Sequence, residues 1–464
     1  MGSLSLPVLI GLIVVSVDSV RNIPSLAIFG SQLPIFFVLA ILLFLLPITF
    51  VSAELSASFA GDKDNGVYHW VKAAFGNDMG MFAIWNQWIN SLIWFPANLL
   101  FISSTFFSIF FPSMSTHKPL IVGTMITIFW LITFLNLKGV KESARVAFVC
   151  MFLGVILPIA TLLISSLLWL YQGLPSHFSF DVSFNVGSAS HSLSALTVII
   201  TSFLGVEISS VHINKVINPK RTFTIAILIA SLLIVAIMFI GSIAMAMMIP
   251  ASQLNLYDGL AQTFHVIFNR FDIGYFSPIL LGMVVFGSLG ALISWTISPA
   301  IGMAQAARNG YMPEALARNN KNGAPKNILF IQASIITILC LSMSLFEDLN
   351  NFYWYLISLS TAIYLLMYIV MFLAGIKLRR QRISTGALIK NHLTFYIISG
   401  SGLIGVIATF IVGFLPSKQV LSGTNIYQYI MQFGGGIVVI SMCFFLFICF
   451  KKQRQYKRQE KIML

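Results

Sequence analysis

Three ionisable side chains stand inside stretches otherwise too apolar to hold them. Asp18 and Arg21 lie in Val17-Asp18-Ser19-Val20-Arg21-Asn22-Ile23-Pro24, and Glu207 ends Thr201-Ser202-Phe203-Leu204-Gly205-Val206-Glu207. A charge at mid-membrane costs about 2.5–3.5 kcal/mol on insertion scales, so one retained there marks a substrate path, a proton relay or a neutralised pair. Asp18 and Arg21, three residues apart, could simply neutralise each other, and Glu207 could simply accept from amides freed beside Gly205. The sharper reading gives Asp18, Ser19 and Arg21 a polar guest to hold. It gives Glu207 a proton to exchange, because a desolvated carboxylate can carry one in place of a cation.

Both stretches also break a helix. An unpaired backbone amide or carbonyl costs several kcal/mol in hydrocarbon, so a spanning helix is interrupted only where the freed groups face protein, water or a ligand. Two interrupted helices at corresponding places of two halves are the sequence signature of a transporter's central site. Other residues could complete its walls. Asn90 and Ser91 interrupt an apolar span, Trp295 follows the small-residue run Gly287-Ser288-Leu289-Gly290-Ala291, and Tyr364 and Tyr368 are four apart on one helix face. Taken singly, each of these is better explained by helix packing or an interfacial aromatic belt; only their convergence with the two breaks favours a pocket.

The elements that must position these residues follow from composition. Of 464 residues 58% are hydrophobic and 9% charged, more apolar surface than a water-soluble fold can bury, and the pattern is that of an all-α integral membrane protein. Twelve stretches can cross roughly 30 Å of hydrocarbon, at about 6–30, 33–59, 81–111, 119–137, 144–171, 190–213, 222–249, 276–307, 327–346, 352–376, 394–415 and 427–450. No small-residue cleavage site follows the first, which is therefore read as a retained span. The net charge of +13 does not point to nucleic acid: 23 of the 27 Lys and Arg fall on alternate loops and the tail. That skew puts both termini in the cytoplasm, and a basic tail beginning Lys451-Lys452-Gln453-Arg454 suits anionic lipid heads. The loops hold no Ser/His/Asp cluster and no metal-spaced ligands, which argues against an enzyme and against a metal or other cofactor. Cys150, Cys340, Cys443 and Cys449 lie inside apolar spans and read as small hydrophobes.

Five spans precede residue 171, and five more, opening again on an interrupted helix, run over 188–376. An odd number per group makes the second group enter from the opposite side, an inverted repeat. Spans eleven and twelve fill 391–450, and 451–464 form the basic tail. The whole reads as one transporter domain. Residues 61–72, after the second span, and 255–272, after the seventh, are amphipathic and read as interfacial helices or as ordinary polar loops.

With these residues in hand, the chain resembles the amino acid–polyamine–organocation (APC) superfamily, most closely its bacterial glutamate/GABA antiporter branch. The resemblance covers nearly the whole length. It is carried by Phe203-Leu204-Gly205-Val206-Glu207 with Asn218-Pro219-Lys220-Arg221, by Gly66-Val67-Tyr68-His69-Trp70-Val71 with Phe75-Gly76, and by Ser294-Trp295 leading to Ala307-Arg308-Asn309-Gly310-Tyr311-Met312-Pro313. Asn320-Lys321-Asn322-Gly323-Ala324-Pro325 and Ile363-Tyr364-Leu365-Leu366-Met367-Tyr368 are similar to that branch in particular. The resemblance implies a LeuT-like 5+5 inverted repeat with discontinuous helices 1 and 6, plus helices 11 and 12. It implies a substrate carboxylate on amides after the first break and an ammonium on carbonyls near both breaks, as half-helix dipoles favour. Gating aromatics would then fall at Phe203 and Trp295, and the tenth-helix tyrosines at Tyr364 and Tyr368.

Three departures qualify what carries over. Val17-Asp18-Ser19 stands where many relatives have a glycine-rich turn, so an acid lies near the expected carboxylate site. The acid that glutamate exchangers carry shortly before the eighth-span tryptophan is Ala291 here. The segment 451–464 is shorter than the pore-blocking plug of that branch. Glutamate/GABA specificity and plug-based acid gating are accordingly not carried over. The expectation is a secondary active transporter of amino acids or related amines, working by alternating access and by exchange, in a bacterial inner membrane. Proton symport on the same scaffold is the alternative, and a non-transporting nutrient sensor a more distant one. The expected partners are a small-molecule substrate, protons as a coupled species, and the lipid bilayer.

Overall fold

A computed structural model describes residues 4–17, 20–114, 117–178, 197–250, 253–254, 259–343, 349–383, 388–415 and 426–463. Among them, twelve helices are long and apolar enough to cross a membrane: Leu6–Ala27, Gly30–Ser58, Asn77–Phe110, Lys118–Leu137, Val140–Tyr171, Thr197–Lys215, Pro219–Met248, Gly274–Arg308, Lys326–Met343, Tyr355–Arg380, His392–Val412 and Ile426–Cys449, here spans 1 to 12. They match the twelve stretches read from hydropathy to within a few residues, except where span 6 begins, since residues 190–196 lie outside the described part.

The expected interruption of span 6 is present, and span 1 changes its winding across residues 18 and 19, which lie outside the described residues. Span 1 is α-helical over Leu6–Val17 and resumes as a 3-10 turn over Val20–Asn22 and a short helix over Ile23–Ala27, with Pro24 in its first turn. Proline fits there because the amide it lacks would have no intrahelical partner. Span 6 ends its α-helical part before Phe203, turns at Gly205 with φ +106°, and continues as a tighter 3-10 helix over Val206–Lys215. Only glycine takes that φ without strain. A Cβ there would also fall 2.8 Å from the Trp295 ring and 3.3 Å from the Ser16 carbonyl oxygen.

Spans 1, 2, 6 and 7 pack on one another, as do spans 3, 4, 8 and 9, and span 10 lies against spans 3 and 11. Spans 5 and 8 meet at a π-bulge over Phe152–Ile156, where a Cβ on Gly154 would stand 2.0 Å from the Gly287 amide nitrogen. The small-residue run of span 8 thus serves close backbone approach, as such runs do in membrane bundles.

The two amphipathic segments do form helices. Val67–Phe75 is bracketed by Gly66 and Gly76 at positive φ and buries Tyr68, Trp70 and Val71 against spans 3, 8 and 10. Gly259–Arg270 buries Leu260, Phe264 and Ile267, with Gly259 against Pro24 of span 1.

Charge is less scarce in the interior than Asp18, Arg21 and Glu207 alone suggest. Glu54 and Arg379, the latter grouped with loop bases in the sequence, are both fully buried and 3.3 Å apart. Glu54 Oε2 also accepts the Leu388 amide at 2.8 Å, and Arg379 donates to the carbonyls of Ile389 and Lys390. The pair therefore pins the 10–11 connection onto span 2. The physical reason is that a desolvated ion pair survives only when its remaining hydrogen-bonding capacity is also filled.

Candidate functional site

A cavity of about 400 Å³ lies between the two interruptions, with walls from spans 3, 8, 10, 11 and 12. That volume is in the range of small-molecule sites. Its described lining comes from mid-span or from the half of the bundle remote from the basic loops. Trp295 of span 8 closes the opposite end, donating from Nε1 to the Ser16 carbonyl at 2.8 Å. That carbonyl belongs to the last turn before the break in span 1, where intrahelical partners run out. The Ser16 hydroxyl meets Ser294 Oγ at 2.5 Å, a second tie between the same two elements.

Behind the cavity lies a buried polar knot. The Tyr364 hydroxyl, whose residue lines the cavity, donates to Glu207 Oε1. Gln87 Nε2 donates to the same oxygen at 3.2 Å, and the Tyr368 hydroxyl donates to Oε2 at 2.6 Å. Tyr368 in turn accepts the Gly205 amide at 2.9 Å. Each of these partners offers Glu207 a proton to accept, which is how a charged carboxylate is satisfied in a dry site. The amide freed by the second interruption goes to a tyrosine and not to Glu207.

Beyond this knot the basic-loop side is sealed. His212 Nε2 and Ser298 Oγ are 2.9 Å apart in the interior. Asn65 accepts from the Trp70 indole at 2.8 Å and the Gly66 amide at 2.7 Å while donating to the Ser56 carbonyl, and its own carbonyl accepts from Gln305. Arg308 bridges to Asp64 at 2.6 Å. Tyr311 donates to Asp78, and burial together with that carboxylate holds its phenol above the usual tyrosine range.

The sequence-derived residues divide by position. Arg21, Asn90, Trp295 and Tyr364 line the cavity. Arg21 lies over the Phe101 ring at 5.4 Å, with Nη1 3.5 Å from Asn98 Oδ1. Asp18 and Ser19 lie outside the described residues. Ser91 is buried and donates to the Gln87 carbonyl at 3.0 Å, off the wall. Phe203, expected as a gating aromatic, turns from the cavity and meets Phe37 of span 2 edge-on at 5.8 Å. The tight turn at Gly205 points it into the packing between spans, and Leu204 and Ser202 line the cavity instead. Gly205, Glu207 and Tyr368 stand one layer behind. The residues sequence reasoning passed over, Gln87, Trp94 and Asn98, share a helical stripe with Asn90 and Ser91 at three- and four-residue steps; that periodicity was the available signal.

The chain matches known proteins over nearly its whole length. The family described as amino acid permease matches residues 4–440. An uncharacterized transporter of Legionella pneumophila is 32% identical over 438 residues, 94% of each chain. A glutamate/gamma-aminobutyrate antiporter of Lactococcus lactis is 29% identical over 426 residues, 89% of this chain and 84% of the relative. A protein named probable agmatine/putrescine antiporter, also of Lactococcus lactis, is 26% identical over 361 residues, 77% of this chain and 75% of the relative. With an all-helical bundle of twelve candidate spans and a family match covering both interrupted helices, the chain belongs to the amino acid permease family of multi-pass membrane transporters.

Proposed function

We propose that the protein is an amino acid antiporter of the bacterial inner membrane, with both termini cytoplasmic, that works by alternating access on a LeuT-like inverted repeat. The observation that carries this reading is the cavity between two interrupted helices, set towards one face and separated from the other by Trp295 and the Glu207 knot. Peptide groups stranded at a break cost several kcal/mol unless occupied, and a zwitterion supplies the complementary carboxylate and ammonium. Asp18, Ser19 and Arg21 at the first break and the turn around Gly205 at the second hold the substrate, with Asn90, Trp295 and Tyr364 enclosing it. Ser91, Phe203 and Tyr368 support those walls from behind.

Glu207 is the coupling group in this reading. A proton arriving on its carboxylate displaces one of the three donors, and the displaced Tyr364 hydroxyl reports the change to the cavity. Spans 1, 2, 6 and 7 then rock against spans 3, 4, 8 and 9, breaking the Trp295–Ser16 and His212–Ser298 contacts. Antiporter names among the relatives support exchange over net uptake.

The test is counterflow into proteoliposomes of the purified full chain, preloaded with one amino acid or amine at a time, at pH 5 and pH 7. Labelled substrate should accumulate only when a partner is inside. Uptake driven by a proton gradient into empty vesicles would establish symport instead.

A further inference from the structure

The basic-loop half of span 6 is wound unusually. Val206–Lys215 is a 3-10 helix ten residues long, whereas such runs rarely exceed three or four residues. With three residues per turn, side chains at i and i+3 stand one above the other, roughly 6 Å apart along the axis. Ser209, His212 and Lys215 therefore share one edge of the segment, which descends from beside Glu207 to the basic-loop surface. None of the three lines the central cavity.

That edge faces the seam between the two groups of helices. His212 Nε2 meets Ser298 Oγ of span 8 at 2.9 Å, and Lys215 Nζ lies 3.9 Å from where a Cβ would stand on Gly323, in the connection between spans 8 and 9. All three side chains are donors short of acceptors. The Ser209 hydroxyl and His212 Nδ1 are buried without a partner among the described residues, the two residues being 0% and 1% exposed. The assignment that leaves fewest groups unpaired has the Ser298 hydroxyl donating to Nε2, with the ring proton on Nδ1. Lys215 is partly buried, and no carboxylate pairs with it among the described residues: in the neighbouring loop Asp62 is bound to His69 and Asp64 to Arg308.

A donor buried without an acceptor costs free energy, and a desolvated charge costs more. A hydroxyl, an imidazole N–H and an ammonium in line together call for an anion. A carboxylate brings two oxygens that can accept several bonds at once, and its bonds from an ammonium are of the strong, charge-assisted kind. We propose that Ser209, His212 and Lys215 form a carboxylate site on the basic-loop half of span 6, which the substrate's carboxylate occupies between the central cavity and the basic-loop face once spans 6 and 8 part at His212–Ser298. The site rests on the transport reading above. Chloride satisfies the same donors, so the experiment separates the two sources.

Homoexchange in everted and right-side-out membrane vesicles from cells producing the full chain decides it, with alanine, leucine, glutamate and γ-aminobutyrate as solutes bearing a carboxylate and agmatine and putrescine as amines without one. Lys215→Gln should raise KM for each exchanged carboxylate about tenfold or more at the basic-loop face, as the loss of one charge-assisted bond implies, with little change at the opposite face. KM for any exchanged amine should stay near the wild-type value at both faces. Lys215→Arg keeps the charge and should stay near wild type, and Ser209→Ala should give a smaller rise confined to the same face. An equal rise at both faces, an equal rise for amines, no rise at all, or a loss in Lys215→Arg matching that in Lys215→Gln overturns the site, as does exchange of amines alone. Exchange of none of the six overturns the transport reading itself, and this site with it. Methanesulfonate in place of chloride tests the other source: a wild-type rate that falls without chloride, beside a Lys215→Gln rate indifferent to it, assigns the edge to an inorganic anion and overturns the substrate's carboxylate as its occupant.

Discussion

The Trp295 indole Nε1 donates to the Ser16 carbonyl oxygen at 2.8 Å, joining span 8 to the last helical turn before the break in span 1. With the Ser16–Ser294 and His212–Ser298 contacts, this bond ties together two groups of helices that are each packed internally, and it does so at the closed end of the cavity. Trp295→Phe keeps a ring and removes the donor, leaving a buried carbonyl unpaired at a cost of about 1–3 kcal/mol. The closed arrangement should lose population, seen as faster labelling, from the basic-loop face, of a cysteine placed at Ser298. Unchanged labelling would mean the bond has no part in closure.

Glu207→Gln retains shape and removes the charge that Tyr364 and Tyr368 serve as donors. Exchange at saturating substrate should fall by about tenfold or more while KM changes little, since binding and gating lie on different layers. The ratio of rates at pH 5 and pH 7 should move towards one, because the amide cannot titrate. A variant with the wild-type pH profile would remove Glu207 from proton coupling.

Gly205→Ala combines a left-handed backbone with an overlap. The φ of +106° costs a non-glycine residue about 1–2 kcal/mol, and the added carbon falls 2.8 Å from the Trp295 ring. The indole cannot retreat without losing its bond to Ser16. Thermal stability in detergent should drop by several degrees together with exchange, and Trp295→Phe in the same chain should not restore it.

Glu54→Gln or Arg379→Met alone should be the most destabilising of these changes, about 3–5 kcal/mol, since each strands a buried charge. Glu54→Leu with Arg379→Met should recover part of the loss. Recovery stays incomplete, because the Leu388 amide and the Lys390 carbonyl lose partners as well. Full recovery in thermal denaturation would show that the loop needs no anchor.

Tyr311 supplies a prediction in pH. Burial and Asp78 raise its phenol above the ordinary value of 10.0, so the folded state favours the protonated form. The stability this gives is fully present below pH 10 and declines above it, as the unfolded chain ionises first. The difference in melting temperature between wild type and Tyr311→Phe should be flat from pH 6 to about 10 and shrink beyond. A difference that grows with alkalinity would contradict the assignment.

Much of this was legible in the letters. Twelve spans followed from the length of apolar runs against a fixed hydrocarbon thickness, a constraint that acts on each segment separately. The two breaks followed from Gly205 and Pro24, whose backbone preferences are local, and Tyr364 and Tyr368 fell on one face because helical periodicity is local too. The tertiary structure alone decided which way side chains turn. Phe203 and Glu207 are four residues apart, yet one is packed on Phe37 of span 2 and the other held by tyrosines of span 10. Glu54 and Arg379 are distant in sequence, and nothing in either neighbourhood names the other. Hydropathy and helical period are properties of single segments, whereas pairing across the bundle depends on how twelve rods pack, and that is fixed only when all are in place.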